Sequence, residues 1–108
     1  MTLQGKIVAV TGGFGQLGLA VVQAAREAGA QVAALDRARP PADEMRLAGA
    51  LALGEVDLAE PSEAVNALGQ VAGRYGGLDA LVNIAGTFRW ETLEQGSLDT
   101  WDMLYRVN

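Results

Sequence analysis

Cysteine and histidine are both absent from the 108 residues of this chain. Without cysteine the chain forms no disulfide, no thiolate nucleophile and no thiolate metal site. Without histidine as well, it builds neither a structural zinc site nor a Ser-His-Asp triad. Hydrolases of that kind are therefore excluded. A cysteine-free chain is compatible with the cytoplasm, where we expect the protein to work.

Positive charge and long apolar runs are also scarce. Eight Lys and Arg residues stand against thirteen Asp and Glu, which gives a net charge of −5, and the basic residues form no cluster. A footprint for nucleic acid or anionic lipid is therefore missing. Only four apolar residues separate Lys6 from Thr11, too few for a signal-peptide core, and no apolar run approaches the roughly 20 residues of a membrane span. We expect a soluble protein that binds neither nucleic acid nor membrane.

Half of the residues are hydrophobic, and four short apolar runs predict β-strands at residues 7–10, 32–35, 50–53 and 81–85. None of the four alternates apolar with polar residues, which is typical of strands buried on both faces of a parallel sheet. Strands of this kind are connected by helices that cover the two faces.

Apolar residues at helical spacing predict those helices. One covers residues 17–28 and ends at Gly29, and a second begins near Pro61 and ends before Gly76. Residues 43–48 predict a short helix. Ser97 is placed to cap a final helix, in which Trp101 shares one face with Leu104 and Tyr105. We therefore expect Trp101 in the core rather than at a ligand.

Alternating strands and helices predict an α/β fold, a Rossmann-like doubly wound parallel sheet truncated to about four strands in the order 3-2-1-4. Residues 1–108 then form one partial domain that ends within the final helix. The fourth strand would lie at the sheet edge without the Lys, Pro or bulge that usually blunts an edge. Either its neighbour is missing or a loop or helix covers it.

The turn that follows the first strand is rich in glycine. Residues 11–18 read TGGFGQLG, which contains G-x-G-x-x-G from Gly13, and Gly12, Gly15 and Gly18 can equally be read as G-x-x-G-x-x-G. Such glycines allow a tight turn, let backbone amides approach a pyrophosphate, and place the phosphates at a helix N-terminus. The alternative is a plain tight turn. In its strand-turn-helix context the motif predicts a dinucleotide-binding domain.

Asp36 ends the second strand, eighteen residues after Gly18. A carboxylate there can accept both adenosine ribose hydroxyls of NAD and would repel the 2′-phosphate of NADP. It can also be a solvated residue at a strand end. Arg37 leaves a further alternative, since its guanidinium can bind a 2′-phosphate or stack on adenine. We expect NAD rather than NADP.

Together with three later motifs, the glycine turn resembles the short-chain dehydrogenase/reductase family. The other matches are Asp57-Leu58 after the third strand, residues 83–86 (NIAG) at the end of the fourth, and residues 101–108. The resemblance implies that Asp57 and Leu58 bind adenine, that Asn83 braces the sheet beside the turn, and that Ala85 and Gly86 line the ribose. It also implies that the backbones of Phe14, Gln16 and Leu17 face the diphosphate and the nicotinamide ribose.

Each of these later residues has a plainer interpretation. Asp57 can be a turn residue beside a helix, Asn83 can satisfy the neighbouring loop, and Ala85-Gly86 can be a simple strand exit. In the long loop after Gly86, Arg89 and Trp90 either touch substrate or are solvated.

The resemblance implies that Asn108 is a catalytic residue, which supports a proton-relay water. The alternative is an ordinary terminal residue. Family members are more than twice as long and continue into a strand with a catalytic Ser and a helix with Tyr-x-x-x-Lys. This chain has no Tyr-x-x-x-Lys, and its only lysine is Lys6. We expect the 108 residues alone to be inactive.

Two hypotheses follow. In the first, the chain is the N-terminal part of an NAD-dependent short-chain dehydrogenase that transfers a hydride between an alcohol or ketone and nicotinamide. A small-molecule substrate then binds only when the C-terminal half is supplied. In the second, the chain is a non-catalytic module that binds a nucleotide or a partner. The apolar sheet edge and the family resemblance both indicate a homo-oligomer.

Overall fold

In residues 2–108, which a computed structural model describes, four strands and three α-helices alternate along the chain. The strands are β1 (Ile7–Thr11), β2 (Gln31–Leu35), β3 (Leu51–Leu53) and β4 (Ala80–Asn83). The α-helices are α1 (Gln16–Glu27), α2 (Pro61–Tyr75) and α3 (Leu98–Val107), and a short 3-10 helix covers Met45–Leu47. The predicted succession of strands and helices is confirmed.

The four strands form one parallel sheet in the order β3-β2-β1-β4. Thr11, the last residue of β1, lies between Leu35 of β2 and Asn83 of β4. The predicted fold class and strand order are therefore confirmed. Because β1 lies between β2 and β4, the carboxyl ends of these three strands meet at one edge of the sheet, which is where ligands bind in open α/β sheets.

Two apolar layers hold the helices against opposite faces of the sheet. On one face, Val8 and Val10 of β1 pack in a cluster with the buried face of α1, including Leu19 and Val22. On the other face, Ile7 and its neighbours on β1 and β2 pack with α2 through Ala67 and Val71. The uninterrupted apolar sequence of β1 and β2 is thus explained, since both strands are covered on both sides.

The segment predicted as a short helix at residues 43–48 forms only the single 3-10 turn Met45–Leu47. The short helix is confirmed within narrower bounds. It begins after Asp43, because Asp43 has φ 58°, in the left-handed region, and cannot belong to a right-handed helix. Glu44 then caps the turn, since its carboxylate accepts a hydrogen bond from the Arg46 amide.

The fourth strand ends two residues earlier than its apolar run predicts. The amides of Ile84 and Ala85 donate to the Thr11 hydroxyl oxygen at 3.1 and 3.2 Å, so these residues turn away from the strand ladder after Asn83. Among the described residues β4 pairs only with β1, and three of its four residues are exposed, so its outer edge is open. The alternative that a loop or helix of residues 2–108 covers this edge is wrong.

Helix α3 forms where it was predicted, and its N-terminal cap is the predicted one: the Ser97 side chain accepts from the Thr100 amide at 3.1 Å. The expected core position of Trp101 is wrong, because the side chain is 60% exposed and Tyr105 is 87% exposed. The apolar face of α3 has no described layer packed on it. Among residues 2–108, no helix combines the length and hydrophobicity needed to cross a membrane.

Candidate functional site

A cleft of about 750 Å³ opens at the carboxyl ends of β1, β2 and β4. After β1 the chain continues to β2 on one side of β1, and it later adds β4 on the opposite side. The cleft lies at this reversal of the strand order, which is the usual ligand position in doubly wound folds. Of the residues that the sequence analysis placed at the cofactor, all except Phe14 and Asn83 line this cleft. The lining residues of that set are Gly12, Gly15, Gln16, Leu17, Gly18, Asp36, Arg37, Asp57, Leu58, Ala85 and Gly86.

The glycine turn forms the floor of the cleft, and its backbone leaves no room for a side chain at Gly12 or Gly18. Gly12 has φ +66°, and a Cβ there would lie 2.7 Å from the Ala85 amide nitrogen. A Cβ on Gly18 would overlap the carbonyl oxygen of Gly12. The turn therefore packs backbone against backbone, which brings the start of α1 close to the ends of β1 and β4.

The N-terminus of α1 presents uncapped backbone donors to the cleft. Gly15 is the N-cap residue and has no side chain to accept a hydrogen bond, and the first turn carries no acidic residue. The amides of Gln16, Leu17 and Gly18 are the first of the helix and have no intrahelical acceptor. All three residues line the cleft. A negatively charged group in the cleft would meet these donors and the positive end of the helix dipole.

The exit of β2 supplies one carboxylate and one guanidinium to the cleft, from Asp36 and Arg37. Asp36 is half-buried, and its carboxylate accepts from the Phe14 amide at 3.0 Å and from the Ala38 amide at 3.0 Å. Phe14 lies beside the cleft rather than in its wall, because its side chain packs on the α1 cluster and its amide points to Asp36.

The exit of β3 is held by Asp57. Its carboxylate accepts from the Ala59 amide at 3.0 Å, and its own amide donates to Glu63 of α2 at 3.0 Å. This is the arrangement of a turn residue beside a helix. It also fixes the Asp57 and Leu58 positions in the wall of the cleft, so the turn role and a ligand role are compatible.

The exit of β4 is tied to β1 by the buried hydroxyl of Thr11. Its oxygen accepts from the amides of Ile84 and Ala85, and the hydroxyl donates to the Asn83 side-chain oxygen at 3.4 Å. Asn83 therefore lies behind the cleft wall and not in it. Sequence reasoning placed Thr11 in the glycine motif but missed this bridge between the strands.

Asn108 lies next to the cleft without lining it. Its side-chain oxygen accepts from the Thr87 amide at 3.0 Å, and its Nδ2 donates to the carbonyl oxygens of Thr87 and Leu104. The end of α3 is thereby joined to the segment that follows β4. Neighbouring Met103 and Val107 do line the cleft.

Seven lining residues were not predicted as site residues: Val56, Ala59, Ile84, Thr87, Arg89, Met103 and Val107. The spacing of Met103 and Val107, four residues apart, shows that they share a helical face, but the sequence does not say which element that face meets. For Arg89 the sequence left two interpretations open, a solvated loop residue and a substrate contact. It is exposed and borders the cleft, whereas Trp90 is 76% exposed and lies outside it.

Comparison with known proteins decides the family. The family model described as short chain dehydrogenase matches residues 6–108. The chain belongs to the short-chain dehydrogenase family. A short chain dehydrogenase of Pseudocercospora fijiensis is 39% identical over 98% of this chain and 37% of its own length. A D-β-hydroxybutyrate dehydrogenase of Rhizobium meliloti is 33% identical over 95% of this chain and 43% of its own.

Solved structures of short-chain dehydrogenases show the same fold. A short-chain dehydrogenase/reductase from Serratia marcescens superposes with a TM-score of 0.85 at 34% identity, and the match covers 99% of this chain and 46% of that one. The chain thus spans about two fifths of the length of these relatives. Members of the family bind a nicotinamide dinucleotide, NAD or NADP. The glycine floor and the free α1 amides fit the diphosphate of such a cofactor.

Proposed function

We propose that this chain forms the NAD(H)-binding part of a short-chain dehydrogenase that transfers a hydride between nicotinamide and an alcohol or ketone substrate. One observation carries the proposal: uncapped amides at the start of α1 line a cleft whose floor is glycine backbone. An uncharged ligand would add little binding free energy at these amides, because water already accepts their hydrogen bonds. A diphosphate accepts the same hydrogen bonds, and its negative charge also interacts favourably with the helix dipole. The bound cofactor supplies the hydride acceptor or donor.

The remaining cleft residues fit the rest of the cofactor. Asp57 and Leu58 are proposed to bind adenine, and Ala85 and Gly86 to line the adenosine ribose through their backbones. Asn108 is proposed as a catalytic residue at the nicotinamide end. Its side chain joins Leu104 to Thr87, a residue that lines the cleft, and this supports the role by holding Asn108 next to the cleft.

The dinucleotide is proposed to be NAD, because Asp36 lines the cleft at the end of β2 and adds negative charge where NADP carries its 2′-phosphate. Arg37 works in the opposite direction, since its guanidinium can pair with a phosphate. Calorimetric titration with NADH and with NADPH tests which of these two opposing charges determines the cofactor. We expect NADH to bind at least about tenfold tighter.

Arg37→Gln is the matched variant for this titration, because it removes the competing charge and leaves Asp36 in place. It should weaken NADPH binding further and change NADH binding little. Equal or tighter binding of NADPH by the wild type would assign the cofactor to NADP. Failure to bind either dinucleotide would overturn the proposed function.

Substrate, assembly and location are proposals for the whole protein. The relatives' names include a hydroxy-acid dehydrogenase, which supports a secondary alcohol as the class of substrate. We propose a homo-oligomer, supported by the open β4 edge and the exposed apolar face of α3, and a cytoplasmic location, with which a cysteine-free chain is compatible. Light scattering and cell fractionation of the whole protein test these two proposals.

A further inference from the structure

The carboxylate of Asp36 joins two segments that border the cleft. Its Oδ2 accepts from the Phe14 amide at 3.0 Å, on the glycine turn, and its Oδ1 accepts from the Ala38 amide at 3.0 Å, on the segment after β2. Each oxygen therefore holds one backbone amide. Hydrogen bonds to a charged acceptor are stronger than those between neutral groups, so this is a firm connection for a single side chain.

The peptide just before Phe14 is also fixed to β2. The Gly13 amide donates to the Leu35 carbonyl oxygen at 3.0 Å, and a Cβ on Gly13 would lie 2.7 Å from the Cβ of Ala34. The turn thus rests directly on β2 at Gly13, and Asp36 fixes the next peptide. Two residues further on, the N-terminal amides of α1 line the cleft.

We propose that Asp36 is a positioning residue for the glycine turn, and not only a group that faces the cofactor ribose. Its carboxylate fixes the Phe14 peptide, and this fixes where the first amides of α1 point. The inference rests on the dinucleotide site proposed above. It has a consequence for cofactor choice: removal of the Asp36 carboxylate weakens NADH binding without the gain in NADPH binding that the loss of its negative charge alone would bring.

The first measurement is residue-resolved amide hydrogen exchange on the cofactor-free protein. In Asp36→Ser, exchange at Phe14 should accelerate at least about tenfold while Val10 and Val22 in the core keep their protection. Asp36→Asn has one acceptor oxygen, so it should keep protection at either Phe14 or Ala38 and lose it at the other. Asp43→Asn makes the same chemical change at an exposed residue and should alter neither amide.

The second measurement is calorimetric titration of the same variants with NADH and NADPH. In Asp36→Ser the NADH affinity should fall at least about tenfold and the NADPH affinity should not rise, because the loosened turn offsets the lost charge repulsion. A residue that only selects the cofactor would lower NADH binding and raise NADPH binding. Asp43→Asn should bind as the wild type does.

Four results would overturn the inference: a Phe14 amide that is unprotected in the wild type, unchanged Phe14 exchange in Asp36→Ser, a gain in NADPH affinity, or loss of protection throughout the sheet in both Asp36 variants. The last would place the role of Asp36 in the stability of the whole fold. If the wild type binds neither dinucleotide, the proposed function fails, and the exchange at Phe14 still decides whether Asp36 positions the turn.

Discussion

Individual glycines of this chain occupy opposite environments. Gly18 lies at the contact between the start of α1 and the end of β1, where a Cβ would overlap the Gly12 carbonyl oxygen. Gly69 lies within α2, and a Cβ there would meet no atom within 4 Å. Both residues are helical, so their helix propensities are equal and only the surroundings differ.

The same substitution should therefore have opposite effects at the two positions. Gly18→Ala should lower the free energy of unfolding by about 2 kcal/mol or more, because backbone must move to admit the methyl group. Gly69→Ala should raise it by about 0.5–1 kcal/mol, because alanine loses less conformational entropy in a helix. Urea unfolding followed by circular dichroism measures both. A Gly18→Ala protein as stable as the wild type would show that the turn and helix do not pack as described.

At the level of elements, the 3-10 turn between β2 and β3 depends on one ion pair. The Glu44 carboxylate accepts from the Arg46 side chain at 2.9 and 3.0 Å and from the Arg46 amide at 3.1 Å. The side-chain hydrogen bonds, followed by the amide, lower the pKa of Glu44 from 4.5 to about 2. The charged form is favoured in the folded chain, so its contribution to stability is present above pH 4.5 and is lost as the pH falls toward 2.

Glu44→Gln should remove this component of the acid sensitivity. We expect the variant to lose less stability than the wild type between pH 5 and pH 2, and NMR titration of the wild-type Glu44 side chain should place its midpoint near pH 2. Glu94→Gln, a change of the same kind on the exposed loop before α3, serves as the control. A Glu44 midpoint near 4.5 would contradict the described ion pair.

Hydrophobic periodicity predicts strands and helices well where helices cover both faces of the sheet. β1 and β2 were predicted because they are apolar throughout, and α1 and α2 because their apolar stripes meet those strands. The end of β4 and the bounds of the short helix at 43–48 were misplaced because each depends on a single local feature, the Thr11 hydroxyl bridge and the φ of Asp43. Trp101 was misplaced because helical spacing shows that residues share a face but does not show what covers it.

At the site, the residues predicted from motifs lie together because the motifs follow successive parallel strands, whose carboxyl ends share one edge. At the end of α3, Asn108 was placed at the site by the family resemblance alone. The cleft contacts of Met103 and Val107 were not predicted, since the long loop after β4 gives no indication of where that helix returns. The turn role of Phe14 was also missed, because a hydrogen bond between Phe14 and Asp36 spans 22 residues and has no sequence pattern.

The whole molecule is more extended than its length requires. Its radius of gyration is 15.2 Å, whereas about 13 Å is usual for a domain of this length. The open β4 edge and the exposed α3 face, with Leu81 and Trp101, contribute apolar surface that commonly becomes an interface.

A polypeptide of these 108 residues should therefore self-associate. Light scattering over a concentration series should give a mass above that of the monomer, and Leu81→Lys should lower the degree of association, because an edge lysine opposes strand pairing. Val65→Lys, at a residue on α2 that is 73% exposed, is the matched control. A monomer at every concentration, with slow hydrogen exchange along β4, would show that the edge is protected.

The central position of β1 also has a consequence for how the chain is made. Val8 pairs with Val32, 24 residues later, and with Ala80, 72 residues later. Closing the longer loop costs only about 1 kcal/mol more, but at ribosomal rates of roughly 5–20 residues per second the second partner follows the first by roughly 2–10 s. During that interval the nascent chain can form β1, α1 and β2 while one edge of β1 stays bare. Hydrogen exchange on ribosome-bound nascent chains should accordingly show protection of the β1 amides that face β2 before those that face β4, and a chaperone that binds the emerging chain would find its site at β1.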